Sequence, residues 1–579
     1  MYSLQKANII KEHVQTFAIR WRGRFILNRQ WWKEAVAYQI YPRSFCDSNG
    51  DGIGDLQGVI EKLDYVKDLG IDVIWICPMY RSPNDDNGYD ISDYQDIMDE
   101  FGTMEDFDQL LHEVHRRGMK LIIDLVINHT SDEHPWFIES RSSKVNPKRD
   151  WYIWRDPKED GSEPNNWESI FNGSAWEYDQ ATGQYYMHIF SRKQPDLNWE
   201  NRDVRKALYQ MINWWLEKGI DGFRVDAISH IKKVKGLPDL PNPKGLDYVP
   251  SFEGHMNREG IHEYLQELKR ETFDHFNIMT VGEANGVTVE QADDWVGEDH
   301  GAFNMIFQFE HLGLWDKGVN GTVDLAELKS IFTTWQKGLE GKGWNALFLE
   351  NHDQPRSVST WGNDKGYWKE SAKALGTLFF FMQGTPFIYQ GQEIGMTNVR
   401  FPSIEDYDDV GMKNFYRIET EKGRSHEEIM EIIWQKGRDN SRTPMQWNDQ
   451  KHAGFSTATE TWMGVNPNYK QINVEKQLKE EDSVLSYYKK MIELRKSSDL
   501  FVYGSYDLVL PEHKQIFAYK RTLEKESALI LVNMFADEVS FQFPLKLIGE
   551  KERVLGNYKT QGAKDKLRPY EARVYRWQS

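Results

Sequence analysis

The chain is poor in cysteine. Its 579 residues hold two, Cys46 and Cys77, which excludes a multi-bridge disulfide framework and reads as a pair of reduced, buried small residues. No segment approaches the ~20 consecutive apolar residues of a membrane span. The first 30 residues carry Lys6, Lys11, Arg20, Arg22 and Arg24 but no uninterrupted apolar core and no small-residue cleavage site; they read as a non-secreted, poorly ordered extension. These absences together point to the cytoplasm. Positive charge is outweighed by negative, 71 Lys and Arg against 90 Asp and Glu for a net −19, and a field of that sign repels phosphate backbones and anionic headgroups. Nucleic acid and membrane partners are therefore disfavoured, and a monomer or weak homo-oligomer is expected. There is also no Cys/His zinc pattern, no Walker loop and no recognisable Ser/His/Asp arrangement. Aromatic residues, by contrast, are plentiful, with 22 Trp, 27 Tyr and 29 Phe, which suits a site that stacks flat, amphipathic ligands.

From Trp31 onward, short β-branched runs alternate with amphipathic stretches of helical period, the signature of βα units on a parallel sheet. Candidate strands cover 35–42, 73–78, 121–129, 222–227, 278–284, 305–310, 346–353 and 387–395. Eight such units predict an α/β fold closed as a (β/α)8 TIM barrel. A doubly wound open sheet would instead place a glycine-rich phosphate turn after the first strand, and none follows Pro42. Between the third and fourth candidates runs a long stretch rich in Trp, Asn, Pro and Gly, far beyond an ordinary βα loop. The expected layout is an extension over 1–30, a barrel over 31–129 and 201–498, an inserted small domain over 130–200, and a C-terminal antiparallel β-sandwich over 499–579, where the period returns to alternation.

On a parallel barrel the chemistry gathers at the C-terminal ends of the strands. Here those ends carry Asn128 and His129, Arg224 and Asp226, Glu283, then His352 and Asp353. One carboxylate could be a surface ion pair; three with two histidines and an arginine at corresponding positions are harder to explain that way. The segments DVIWICP (72–78), DLVINH (124–129), GFRVDAISH (222–230), VGEAN (281–285) and ENHDQPR (350–356), in this order, resemble the α-amylase family of glycoside hydrolases, within it the oligo-1,6-glucosidase and α-glucosidase group.

The resemblance implies a retaining α-glucosidase acting on short oligosaccharides. It makes Asp226 the nucleophile, Glu283 the general acid/base and Asp353 the carboxylate that helps distort the sugar and stabilise the transition state. An oxocarbenium-like transition state needs one ionised carboxylate and one proton donor, so Arg224 is expected to hold the Asp226 pKa down. His129 and His352 are similar to the pair that hydrogen-bonds sugar hydroxyls. Asp86 and Tyr89 match positions that bind and stack on the terminal glucose, and Arg442, in GRDNSRTPMQW (437–447), matches the arginine expected to pair with Asp86. Phe171, Phe190 and Gln194 are expected to complete the wall. Ala227 stands where relatives carry Val with α-1,6 preference or Thr with α-1,4 preference, so a small Ala implies that both linkages are accepted, with sucrose or trehalose as further candidates. A mainly α-1,6 enzyme, a sucrose isomerase, a trehalose-6-phosphate hydrolase and a non-catalytic transporter-accessory relative are the alternatives. No cofactor is needed for the chemistry. DSNGDGIGD (47–55) places oxygen side chains at alternate positions, like half an EF-hand loop, and the resemblance implies a structural calcium held by Asp47, Asn49, Asp51, the Ile53 carbonyl and Asp55.

Overall fold

All eight candidate runs contain strands in the computed structural model, which describes residues 18–21, 24–316, 323–542 and 552–578. They are β1 (Ala37–Ile40), β2 (Val73–Ile76), β3 (Lys120–Val126), β4 (Gly222–Asp226), β5 (Met279–Glu283), β6 (Met305–Phe307), β7 (Ala346–Leu347) and β8 (Thr385–Tyr389). Their spatial order is β6-β5-β4-β3-β2-β1-β8-β7. A parallel bridge from Ile306 to Asn345, just ahead of β7, brings the two edges together and closes the barrel.

Period-two alternation sorts each strand into two faces. Tyr38, Ile40, Ile74, Ile76, Leu121, Ile123, Phe223 and Val225 pack outward with the helices into one core. Ala37, Val73, Trp75, Ile122, Met279, Val281, Met305, Phe307 and Phe387 form a second cluster inside the barrel, where Trp75 stacks on Phe307 at 5.6 Å and Phe307 meets Phe387 edge-on at 4.8 Å. Followed upward, the inward positions change character: Asp124, Arg224, Asp226 and Glu283 succeed the apolar layers. The barrel is thus plugged below and charged above.

The connecting helices follow from local signals. Met104–Arg116 starts at a capping box, Thr103 accepting from the Asp106 N–H while Asp106 accepts from Thr103, and it buries Phe107, Leu110, Leu111 and Val114 on one face. After β3 come the helix Pro135–Ser142 and an antiparallel sheet of Trp154–Arg155, Gln184–Met187 and Trp176–Asp179. A further strand, Trp167–Glu168, pairs with Val249–Pro250, outside the expected 130–200. The reason is apolar closure: Trp167, Trp176, Met187 and Ile189 pack against Leu237, and the Trp167 Nε1 donates to the Pro238 carbonyl at 2.9 Å. The insertion therefore completes its core with the connection that follows β4.

Beyond the helix Val484–Lys496, a five-stranded antiparallel sheet runs in the order Ser505–Val509, Ile516–Leu523, Glu526–Asn533, Ala572–Gln578, Glu552–Gly556, with Val539–Ser540 paired to Lys566–Leu567. Within the N-terminal extension, Ala18–Trp21 pairs antiparallel with Arg24–Leu27, a regular element where an irregular one was expected; 1–17, 22 and 23 lie outside the described residues. Both cysteines are free and buried. Among the described residues no helix is long and apolar enough to cross a membrane.

Candidate active site

Strands β4 and β5 are neighbours and end at the same level, one on Asp226 and the other on Glu283, while Arg224 sits opposite Asp124 of β3. That register converges three carboxylates on one guanidinium. Arg224 Nη1 donates to Asp124 Oδ1 at 2.7 Å and to Asp226 Oδ1 at 2.6 Å, and Nη2 donates to Glu283 Oε2. The side chains of Asp226, Glu283 and Asp353 keep 11%, 15% and 32% exposure, against 0% for Asp124, so three carboxylates open to an incoming ligand and the fourth is a buried counter-charge. Asp124 also accepts from Trp75 Nε1 at 2.9 Å and from the Tyr89 hydroxyl at 3.1 Å. It was not singled out in the sequence, although an aspartate at an inward position of KLIIDLV is a signal for a buried partner.

The expectation that Arg224 holds Asp226 down is only half met. Burial raises its pKa most, Arg224 opposes, and Asp124 and Asp353 raise it further, leaving Asp226 at about 7. A nucleophile must be ionised, and kcat/KM reports the free enzyme. We therefore expect the acid limb of a kcat/KM profile to inflect near neutrality, activity falling as the pH drops below about 7; a limb down at pH 4 to 5 would contradict this burial.

Asp353 follows β7 in the loop that also carries His352. Burial would raise its pKa, but His352, Arg442 and Arg438 outweigh that and hold it well below the usual carboxylate range. Arg442 Nη2 donates to Asp353 Oδ1 at 2.7 Å and its Nε to the His352 carbonyl at 2.9 Å. Arg442 is therefore not the partner of Asp86. That partner is Arg438, whose Nη2 donates to Asp86 Oδ1 at 3.2 Å and whose Nη1 lies 3.4 Å from Asp353 Oδ1. The helix Asp439–Arg442 explains the exchange: arginines four apart lie one above the other on one face, the lower buried beneath Asp353 and the upper reaching the rim. The motif contained both, and nothing in spacing alone chose between them.

The remaining expected residues do come together. Gln194 Nε2 donates to Asp86 Oδ2 at 3.1 Å and lies 3.1 Å from His129 Nε2. His129 packs on Phe190 at 5.1 Å, Phe190 on Phe171 at 5.7 Å, and the Arg438 guanidinium sits 4.7 Å over the Phe171 ring. Residues of the insertion thereby form one side of the pocket. Tyr89 stacks on His352 at 5.1 Å with 6° between the rings, and His352 Nδ1 lies 2.8 Å from Gln39 Nε2. Burial pushes His129 down to about 3, which makes it a neutral hydrogen-bonding group, and lowers His352 against the raising pull of Asp353.

Ala227 leaves the strand in the left-handed region, φ 45° and ψ 28°, and opens the short turn Ile228–His230. Its methyl is buried, at 2% exposure. A β-branched residue is poorly tolerated at positive φ. Behind this turn Lys233 is paired with Asp196 of the insertion and donates to the Asn128 side-chain oxygen at 3.0 Å and the His230 carbonyl at 2.9 Å.

In the loop 47–55, Asp47 accepts from the N–H groups of Asn49, Gly50 and Gly52, Asn49 from that of Asp51, Asp51 from that of Ile53, and Asp55 from Ser48 and Gly58. These oxygens hold the loop's own backbone. The donor set is all oxygen, as a hard cation requires, but among the described residues no three His, Cys, Asp or Glu side chains converge as metal ligands.

Comparison with known proteins agrees with this geometry. The model of the alpha amylase catalytic domain matches residues 39–504. A curated relative, the probable oligo-1,6-glucosidase 3 of Bacillus subtilis (strain 168), is 63% identical over 95% of this chain and 100% of its own. Among solved structures, the trehalose-6-phosphate hydrolase of Bacillus licheniformis aligns with a TM-score of 0.88 at 45% identity, and the isomaltulose synthase of Klebsiella sp. LX3 with 0.88 at 44%, each over 95% of this chain and 100% of the other. Barrel, strand-end carboxylates and these likenesses place the chain in the α-amylase family of glycoside hydrolases.

Proposed function

We propose that this chain is an exo-acting retaining α-glucosidase that releases glucose from the non-reducing end of short isomalto- and malto-oligosaccharides by double displacement. The observation that carries the reading is the single guanidinium of Arg224 shared by Asp226 and Glu283. Two carboxylates at the ends of neighbouring strands, both within hydrogen-bond reach of one guanidinium, support the close nucleophile and acid/base pair that double displacement uses. Asp226 attacks the anomeric carbon. Glu283 first gives its proton to the departing glycosidic oxygen and then, as a carboxylate, takes one from the water that hydrolyses the glucosyl-enzyme. Asp353, held ionised by His352 and Arg442, stabilises the positive charge on the ring. The Asp86–Arg438 pair, walled by Gln194, Phe171 and Phe190, binds the 4-hydroxyl of the terminal glucose and blocks a longer chain on that side.

The oligo-1,6-glucosidase name of the 63% relative supports an α-1,6 activity, while the small Ala227 side chain supports the acceptance of both linkages. Glucose release from isomaltose, maltose, sucrose, trehalose and trehalose 6-phosphate, measured in parallel, tests the reading: isomaltose is cleaved, with maltose at a comparable rate. Preference for the phosphorylated disaccharide, or isomerised rather than hydrolysed sucrose, would replace it with the activity of one of the structural neighbours. Ala227→Val should raise the isomaltose-to-maltose ratio of kcat/KM by up to about 100-fold, the reach of a methyl-sized discrimination. The same substitution should lower the midpoint of thermal unfolding slightly, because Ala227 already sits at positive φ and Val adds only its β-branch there.

A calcium ion in the loop 47–55 is a second, separate proposal, supported by the oxygen-rich donor set alone. Chelator treatment followed by calcium addition should lower and then restore the thermal midpoint, with kcat unchanged; an unmoved midpoint would show that the loop's own hydrogen bonds suffice. The chain is further read as a cytoplasmic monomer or weak homo-oligomer, on composition and charge.

A further inference from the structure

The side chain that aims Arg438 belongs to neither the barrel strands nor the motif around it. Asp409 is fully buried, and its Oδ1 accepts from Arg438 Nε at 3.0 Å and Nη2 at 2.9 Å while Oδ2 accepts from the Arg438 backbone N–H at 3.0 Å. The same carboxylate caps the helix Val410–Glu421, accepting from the N–H groups of Gly411 at 3.0 Å and Met412 at 3.3 Å. That helix is in turn tied to the pocket wall, for Asn414 Nδ2 donates to the Phe171 carbonyl at 3.1 Å. One oxygen thus fixes two nitrogens of the guanidinium, leaving the outward edge to Asp86 and Asp353 and the flat face to Phe171.

Resting on the α-glucosidase reading above, we propose that Asp409 is a positioning residue that sets recognition of the non-reducing-end hydroxyl, by locking Arg438 against Asp86 and linking that lock to the docking of the helix Val410–Glu421. Arginine on a flexible stem recognises a hydroxyl–carboxylate pair only if its fork is held in plane. Removing the Asp409 charge frees the fork while leaving Asp226, Glu283 and Asp353 in place.

The test compares p-nitrophenyl α-glucoside with its 4-deoxy analogue on the parent and on Asp409→Asn, with Asp409→Ser made alongside. Both replacements keep an oxygen for the helix N-terminus, and the ratio is read from whichever retains the parental thermal unfolding. The parent should prefer the hydroxylated substrate in kcat/KM by at least about 100-fold, as sites built around a substrate hydroxyl do. In the variant this preference should collapse below about 10-fold, through a raised KM for the hydroxylated substrate, with the 4-deoxy analogue turned over at the parental rate. A purely structural role would lower both substrates equally and keep the ratio, which overturns the proposal for Asp409 alone. A parent that hydrolyses both substrates equally well overturns the clamp and this proposal with it, while one that cleaves neither overturns the α-glucosidase reading itself.

Discussion

Replacing Asp226 by Asn should abolish turnover of every α-glucoside, with kcat lower by at least about 10,000-fold, the scale on which an essential group of a catalytic unit is lost. The amide is isosteric and cannot form the glucosyl ester. The fold should survive, because the position already sits under strong burial that disfavours its charge, and Arg224 keeps its ion pair with Asp124 at 2.7 Å. The decisive pairing of measurements is single-turnover hydrolysis with thermal unfolding of the same preparation: lost chemistry at an unchanged midpoint supports the nucleophile assignment. Residual hydrolysis within about 100-fold of the parent would sink it, since among the described residues Arg224 shares its other bonds only with Glu283 and the fully buried Asp124.

Glu283→Gln should show a different pattern, set by the leaving group. A disaccharide departs as an alkoxide unless protonated, so kcat for isomaltose should fall about 100- to 10,000-fold, the usual contribution of a positioned acid. A p-nitrophenyl glucoside needs no such proton, so its first step should be nearly spared and the glucosyl-enzyme should accumulate. Azide, a nucleophile that needs no general base, should then restore turnover and yield the α-glucosyl azide, with configuration retained by the second displacement. Equal losses on both substrates, with no response to azide, would remove Glu283 from the acid/base role.

Much of this is legible in the sequence, for definite reasons. The inward positions of the strands alternate with outward ones, so the polar strand ends at Asp226 and Glu283 were already pointing to one rim, and the eight β-branched runs fixed how many strands share it. The apolar plug beneath was not legible, because strands buried on both faces, as Val73–Ile76 is, do not betray in sequence which side faces the barrel interior. Nor was long-range pairing. Asp124 and Arg224 meet because β3 and β4 are in register, and register depends on both chains of contacts at once. Arg438 and Arg442 occupy one motif, and only the path of the helix Asp439–Arg442 relative to the rim decides which reaches Asp86. Asp409 lay in a segment with no strand-end signal, its importance arising from a fold-back of 29 positions in sequence to Arg438. The extra strand pairing of Trp167–Glu168 with Val249–Pro250 was hidden in the same way, because it joins the insertion to a stretch of the barrel 82 positions further on.

The lysine behind the catalytic turn has a consequence for protein engineering. Lys233 answers to three separate pieces of chain: Asn128 at the end of β3, Asp196 in the insertion and the His230 carbonyl after β4. Exchanging the insertion between homologues, as though it were a cassette, would leave this ammonium without its carboxylate whenever the donor lacks an acid at the position of Asp196. An orphaned buried charge of this kind costs about 3 to 5 kcal/mol. The functional unit of transplantation is therefore larger than the contiguous stretch that leaves the barrel, and it includes the turn that holds the nucleophile. Chimeras should be cut so that both ends of that ion pair travel together.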